Sequence, residues 1–288
     1  MKATIIIPHL ESFEFLKACV RWIGYKKHPD IEQEIIIVDD NSQDGSYKKI
    51  LKKYADQDII ILQTGREDKG QNAGYPLDYA VPFITGDYVC SFDCDAIPIS
   101  DRWLLDPIEK LKEGFVFAGR DTGFARPYMG FGKNNPDMVP FHVIDNCYRV
   151  STAKDFRELS GMVGFGMHGN RGNSIECNWE GKEFTPFVGH ADSGVTANYY
   201  VYAEMKKESY SYPITSYIGK TPTQGSFGQN IAGLVFHMAL YSRYVSTSRK
   251  NLEIVGEHYE KYLHQINNYG LNDGLVEQMI KDSYNIKC

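Results

Sequence analysis

Residues 86–98 read GDYVCSFDCDAIP. Tyr88 to Phe92 is a short apolar run of strand length, the kind that lies buried on both faces of a parallel sheet. Asp93 and Asp95 follow at once, separated by Cys94. Two carboxylates that close repel, and their charges are costly unless a cation joins them. Mg²⁺ and Mn²⁺ take oxygen ligands, commonly one or two carboxylates with phosphates. The pair therefore reads as a candidate cation site at a strand end. The plain alternative is an Asp-rich turn that closes the strand.

Upstream, strand-like and helix-like segments alternate. Thr4 to Ile7 is an apolar run ended by Pro8, and Phe13, Leu16, Val20 and Ile23 then recur at helical spacing. Ile35 to Val38 is a second run, followed by a polar turn from Asp39 to Gly45. Tyr47 to Tyr54 reads helical, Ile59 to Leu62 reads as a third strand, and Pro76 to Ile84 as a short helix interrupted by Pro82. The order β-α-β-α-β-α-β implies a mostly parallel sheet with right-handed crossovers. Ligands bind such sheets beyond the carboxyl ends of the strands. Here those ends carry Pro8-His9, Asp39-Asp40-Asn41 and Asp93-Cys94-Asp95.

Downstream of Pro98 the alternation stops. Trp103 to Leu111 reads as one helix, and residues 114–233, rich in Gly, Asn, Tyr and Phe, read as an irregular half that covers the sheet and builds a pocket. Leu252, Val255, Tyr259, Tyr262, Leu263 and Ile266 make an amphipathic helix that residues 267–270 end.

Composition bounds the function. The chain has 288 residues, 42% of them hydrophobic, which is enough for one large α/β domain or two small ones. A net charge of −6 and no block of Lys and Arg argue against a primary grip on nucleic-acid phosphates. No apolar run approaches the roughly 18 residues of a membrane span, and the apolar stretch after Met1 is too short for a signal peptide. A cytoplasmic location is expected. Six cysteines, Cys19, Cys90, Cys94, Cys147, Cys177 and Cys288, form no CxxC pair and read as free thiols. Most of the 20 tyrosines suit the rim of a core, and some suit a sugar-binding surface.

Three ordered stretches, TIIIPHLES (4–12), EIIIVDDNSQDGS (34–46) and GDYVCSFDCDAIP (86–98), resemble glycosyltransferase family 2. The resemblance is close over residues 1–110 and loose beyond. It implies a GT-A type, Rossmann-like α/β fold with a mostly parallel sheet, an irregular acceptor-binding C-terminal half and a helical tail. Residues 1–100 would bind the nucleotide-sugar, 101–250 the acceptor, and 251–288 would form the tail. The implied activity is transfer of a sugar from a nucleotide-sugar donor, a UDP-sugar foremost, to an acceptor hydroxyl, with inversion as the first reading and retention, which needs a different geometry, as the alternative. The acceptor stays open among a glycan, a lipid-linked sugar, a protein side chain and a modified nucleobase.

The same resemblance assigns roles by position. Asp40 would accept a hydrogen bond from the base, with Asp39 supporting it or the ribose, and Pro8 and His9 would line the base loop. Asp93 and Asp95 would meet the ribose and an Mn²⁺ or Mg²⁺ ion. His237, within GLVFHMALYSRY (233–244), is placed like a late metal ligand, although a core histidine is the alternative. Arg243 and Arg249 would balance the diphosphate. Asp192, in GHADSGVTANYY (189–200), is the candidate general base. A helix N-cap is its plain alternative, and Glu176 and Asp145 are the fallbacks. The chain departs from the family at His9-Leu10, where Tyr-Asn is usual, and at residues 71–74, where a basic residue often precedes the helix.

Two other formulas fail on context. Gly164, Gly166 and Gly169 fit G-x-G-x-x-G but do not follow the first strand; the segment reads as a loop near the acceptor. Gly219-Lys220-Thr221 ends like a phosphate loop, but Ile214 stands where its first glycine belongs. A sugar nucleotidyltransferase would carry a Gly-rich basic loop where this chain has PHLESFEF. A non-catalytic nucleotide- or sugar-binding protein on the same scaffold is the rival from another class.

Overall fold

A computed structural model describes residues 1–66, 74–124, 142–162, 164–165, 177–179, 182–184, 195–221, 225–238, 262, 264–266 and 268–285. Asp192, Glu176, Arg243, Arg249, Gly166 and Gly169 lie outside the described residues, as does most of the expected helix over 252–266.

Strands β1 (Lys2–His9), β2 (Glu32–Asp39), β3 (Ile59–Gln63) and β4 (Tyr88–Phe92) run parallel in the order β4-β1-β2-β3. The apolar runs occupy these strands because both faces are covered. Ile5, Ile7, Ile37, Cys90 and Phe92 point into one core with α1 (Phe13–Tyr25). Ile6, Ile36, Val38 and Val89 point into the other, against α3 (Tyr75–Ala80). A strand buried on both sides has no need of alternation. Helix α1 turns Leu16, Cys19, Val20 and Ile23 toward the sheet, as the spacing predicts. Helix α2 is Ser46–Tyr54. The segment expected as one helix over 76–84 divides, with α3 ending at Ala80 and a 3₁₀ turn taking Val81–Phe83, where Pro82 cannot supply an α-helical hydrogen bond. Helix α4 starts at Leu105 rather than Trp103 and ends at Lys112.

The second half is more regular than its sequence suggests. After the short strand β5 (Ala96–Pro98), strands β6 (Phe117–Phe124) and β7 (His142–Thr152) join the main sheet, β7 antiparallel to both β4 and β6. After α5 (Ala153–Met162), two three-residue strands, β8 (Cys177–Trp179) and β9 (Lys182–Phe184), pair with each other, followed by α6 (Val195–Ala203). Strand β10 (Ser209–Tyr212) completes the seven-stranded order β10-β6-β7-β4-β1-β2-β3. Helices α5 and α6 cover the α3 face through Phe156, Leu159, Ala197 and Val201.

A four-stranded antiparallel sheet then forms from β11 (Ile214–Thr221), β12 (Gly225–Ile231), β13 (Val235–His237) and β5. It brings His237 opposite Ala96, one residue beyond Asp95. Helix α7 (Asp273–Asn285) docks on α1, where Asp273 pairs with Arg21 at 2.6 Å and accepts the Trp22 indole N–H at 3.1 Å.

Candidate active site

The carboxyl ends of β1 and β2 lie side by side, His9 in register with Asp39. The Asp39 carboxylate meets His9 Nδ1 at 2.8 Å and accepts the Ser42 hydroxyl at 2.6 Å and its backbone N–H at 2.9 Å. His9 Nε2 accepts the Ser12 backbone N–H at 3.2 Å. A ring nitrogen that accepts is unprotonated, so the proton sits on Nδ1 and is donated to Asp39. Burial opposes the Asp39 charge, but the His9 and Ser42 bonds outweigh it and hold the carboxyl below its ordinary range. Pro8 is half-buried beside this pair.

Asp40 turns to the next loop. It accepts the Thr64 hydroxyl at 2.8 Å and is gripped by Arg66 through Nε at 3.2 Å and Nη2 at 3.0 Å. The Arg66 guanidinium lies 4.3 Å from the centroid of Tyr75. Asp40 is thus a buried, paired carboxylate, and Arg66 is a cation beside it that the sequence reading did not single out.

At the end of β4 a turn forms, with Ala96 N–H bonded to the Asp93 carbonyl at 2.9 Å. It presents both carboxylates to His237, whose Nε2 lies 3.1 Å from Asp95 Oδ1 and 3.5 Å from Asp93 Oδ2. Asp95 and His237 are buried; Asp93 keeps partial access to water. Burial works against a charged imidazole, yet the two carboxylates prevail and raise His237 to about 9. Loss of water pushes the Asp93 carboxyl up, and Asp95 adds to the push, against the His237 bond. All three residues expected at a metal come together, although 142 positions separate Asp95 from His237.

A fourth group stands at the same place. The Asp93 backbone N–H extends the β4–β7 ladder to the Cys147 carbonyl at 3.0 Å. This brings one ligand atom each of Asp93, Cys147 and His237 within 4.8 Å of one another. Cys147 Sγ accepts from Arg120 Nη1 at 3.3 Å, and Arg120 pairs with Asp145. The fallback base Asp145 is therefore held by an arginine beside the cluster. Neither Cys147 nor Arg120 shows in the sequence, because β6 and β7 mix polar and apolar residues and carry no strand signature. On the other side, Cys94 Sγ lies 3.1 Å from the Ser12 hydroxyl and ties the turn to the start of α1.

Among known proteins, the family model described as glycosyl transferase family 2 matches residues 4–171. A poly(ribitol-phosphate) beta-glucosyltransferase of Bacillus spizizenii is 26% identical over 147 residues, which is 48% of this chain and 22% of that protein. The chain thus spans about a fifth of that relative's length. Among solved structures, the mannosyltransferase PcManGT from Pyrobaculum calidifontis, in complex with GDP-Man and Mn²⁺, aligns with a TM-score of 0.49 and 16% identity over 98% of this chain and 75% of its own. TarS of S. aureus aligns with a TM-score of 0.41 and 17% identity, over 57% of this chain and 30% of its own.

Proposed function

The chain belongs to glycosyltransferase family 2, and from that premise we propose that it moves a sugar from a nucleotide-sugar to an acceptor hydroxyl with a divalent cation held by Asp93, Asp95 and His237. The observation that carries this reading is the convergence of two carboxylates and one imidazole at the carboxyl end of β4, within 3.1 and 3.5 Å. The donor set fits a cation: carboxylate oxygens and an imidazole suit Mn²⁺, and the oxygens alone suit Mg²⁺. The fit also explains why so costly a cluster is kept buried. A bound cation would supply electrophilic assistance by offsetting charge on the departing nucleoside diphosphate.

The remaining roles fall to the chain's own groups. The His9–Asp39–Ser42 network fixes the loops at the ends of β1 and β2, which together with Pro8 form the wall for the nucleoside. Asp40 serves the base or ribose, with Arg66 holding its carboxylate in place. Asp192 takes the proton from the acceptor hydroxyl as that oxygen attacks the anomeric carbon, and a single displacement inverts the centre. The role proposed for Arg243 is to balance the charge of the leaving diphosphate. A UDP-sugar is the proposed donor, in keeping with the glucosyl transfer named for the Bacillus relative. Among the described residues, no helix is long and apolar enough to cross a membrane.

The test is a thermal-shift screen of UDP-, GDP-, CMP- and dTDP-sugars with and without Mn²⁺, on the wild type and Asp95→Ala. A ligand at about 100 times its Kd adds about 2.7 kcal/mol of stability. A metal-dependent rise with one nucleotide, absent from Asp95→Ala, is expected. No rise with any nucleotide sinks the donor assignment and leaves a binding protein for some other ligand.

A further inference from the structure

The cation site proposed above contains a sulfur that a site for Mn²⁺ or Mg²⁺ does not need. We propose that Cys147 is a metal ligand, and that the centre formed by Asp93, Cys147 and His237 takes a thiophilic divalent ion, Zn²⁺ or Co²⁺, more tightly than Mn²⁺. The inference rests on the metal reading of the site and narrows it to a class of ion.

Three observations carry it. The first is proximity: one donor atom from each residue lies within 4.8 Å of the other two. A tetrahedral ion with bonds of about 2.0–2.3 Å holds its donors roughly 3.3–3.8 Å apart, so side-chain shifts of about 1 Å close the set. The second is the mixture of donors. Oxygen ligands suit Mg²⁺ and Mn²⁺, whereas thiolate with imidazole selects zinc-like ions. The third is the surroundings of the sulfur. Arg120 Nη1 donates to Cys147 Sγ at 3.3 Å while Asp145 balances the guanidinium. Such an N–H donor orients a metal-bound thiolate. Binding releases the thiol proton to solvent and leaves Sγ as thiolate on the ion.

A sulfur ligand has a direct optical signature. Full-length protein stripped with a chelator is titrated with Co²⁺ and followed in the near-ultraviolet, where thiolate-to-cobalt charge transfer absorbs, and in the visible, where the ion's own transitions absorb. The wild type should show both bands. Cys147→Ser should keep the visible band and lose the near-ultraviolet one. Cys94→Ser, the thiol between the two aspartates, should keep both. Calorimetry should show Zn²⁺ affinity falling on the order of tenfold or more in Cys147→Ser with Mn²⁺ affinity nearly unchanged. Cys147→Ala repeats the comparison if the serine disturbs the fold. Co²⁺ bound without the near-ultraviolet band, or with a band that survives loss of Cys147, overturns the inference and leaves the metal reading standing. No Co²⁺ binding overturns both.

Discussion

Single residues at the strand ends show how far chemistry can be read from residue type alone. Asp39, Asp40, Asp93, Asp95, His9 and His237 all stand out in the sequence, and the structure pairs His9 with Asp39, turns Asp40 to Thr64 and Arg66, and gathers Asp93, Asp95 and His237 at the end of β4. Their partners do not stand out. Nothing in the string pairs His9 with Asp39, because that contact comes from the β1–β2 register. The pairing has a measurable consequence in acid. The folded Asp39 carboxyl titrates below its unfolded value of about 3.9, so its stabilisation is complete above that pH and fades as pH falls through the folded value. Asp39→Asn should therefore cost about 1.5–3 kcal/mol at pH 7, the usual worth of hydrogen bonds to a charged group. The gap from wild type should close below pH ~4. Urea midpoints at pH 7, 4 and 3 check this. A gap that stays constant across that range would mean the Asp39 charge contributes nothing to folding.

Strands and helices were legible in proportion to their burial. The runs at 4–7, 35–38, 59–62 and 88–92 are apolar because both sheet faces are covered, and each became a strand. Strands β6 and β7 escaped because they carry Arg120, Asp121, Asp145, Asn146 and Arg149 among their apolar residues. Their pairing depends instead on a residue with no side chain. A Cβ on Gly119 would lie 2.2 Å from the Tyr148 carbonyl oxygen and 2.8 Å from Arg149 Cα, both of them backbone. Backbone in the middle of a sheet cannot step aside as a flexible side chain does. Gly119→Ala should therefore destabilise by about 1–3 kcal/mol or more, the range for overpacking. It should also loosen Arg120 and Cys147, which stand on these two strands beside the proposed cation site. A denaturation series in urea reads the first effect, and Co²⁺ titration of the same variant reads the second. A change below about 0.5 kcal/mol, the size of a neutral surface substitution, would contradict the β6–β7 register.

The two halves of the molecule meet at the proposed cation site, and that junction was the least legible part of the chain. Local pattern reaches the ends of β1, β2 and β4, because each strand and its polar end are contiguous in sequence. It does not reach β13, a three-residue strand whose place is set by antiparallel pairing with β5, where Phe236 faces Ile97 across 139 positions in sequence. His237 was singled out by its resemblance to a late metal-ligating histidine of the family; its geometry came from the second sheet. The Met238 N–H bonds the Asp95 carbonyl at 2.9 Å, so the backbone already ties the sheets where the side chains converge. The proposed cation, shared by Asp93, Asp95 and His237, would add a second tie at the same point. Anything that binds only the folded arrangement suppresses the openings that break it. Amide hydrogen exchange should accordingly slow on metal addition in residues 93–98 and 231–238, which flank the junction. Helix α2, which packs beside α1 at the β3 edge of the sheet and carries no proposed ligand, should exchange at an unchanged rate. Equal protection of α2 and the junction would mean the ion stabilises the whole domain without closing this contact. No protection at 231–238 would place the ion on the β4 end alone and remove His237 from its shell.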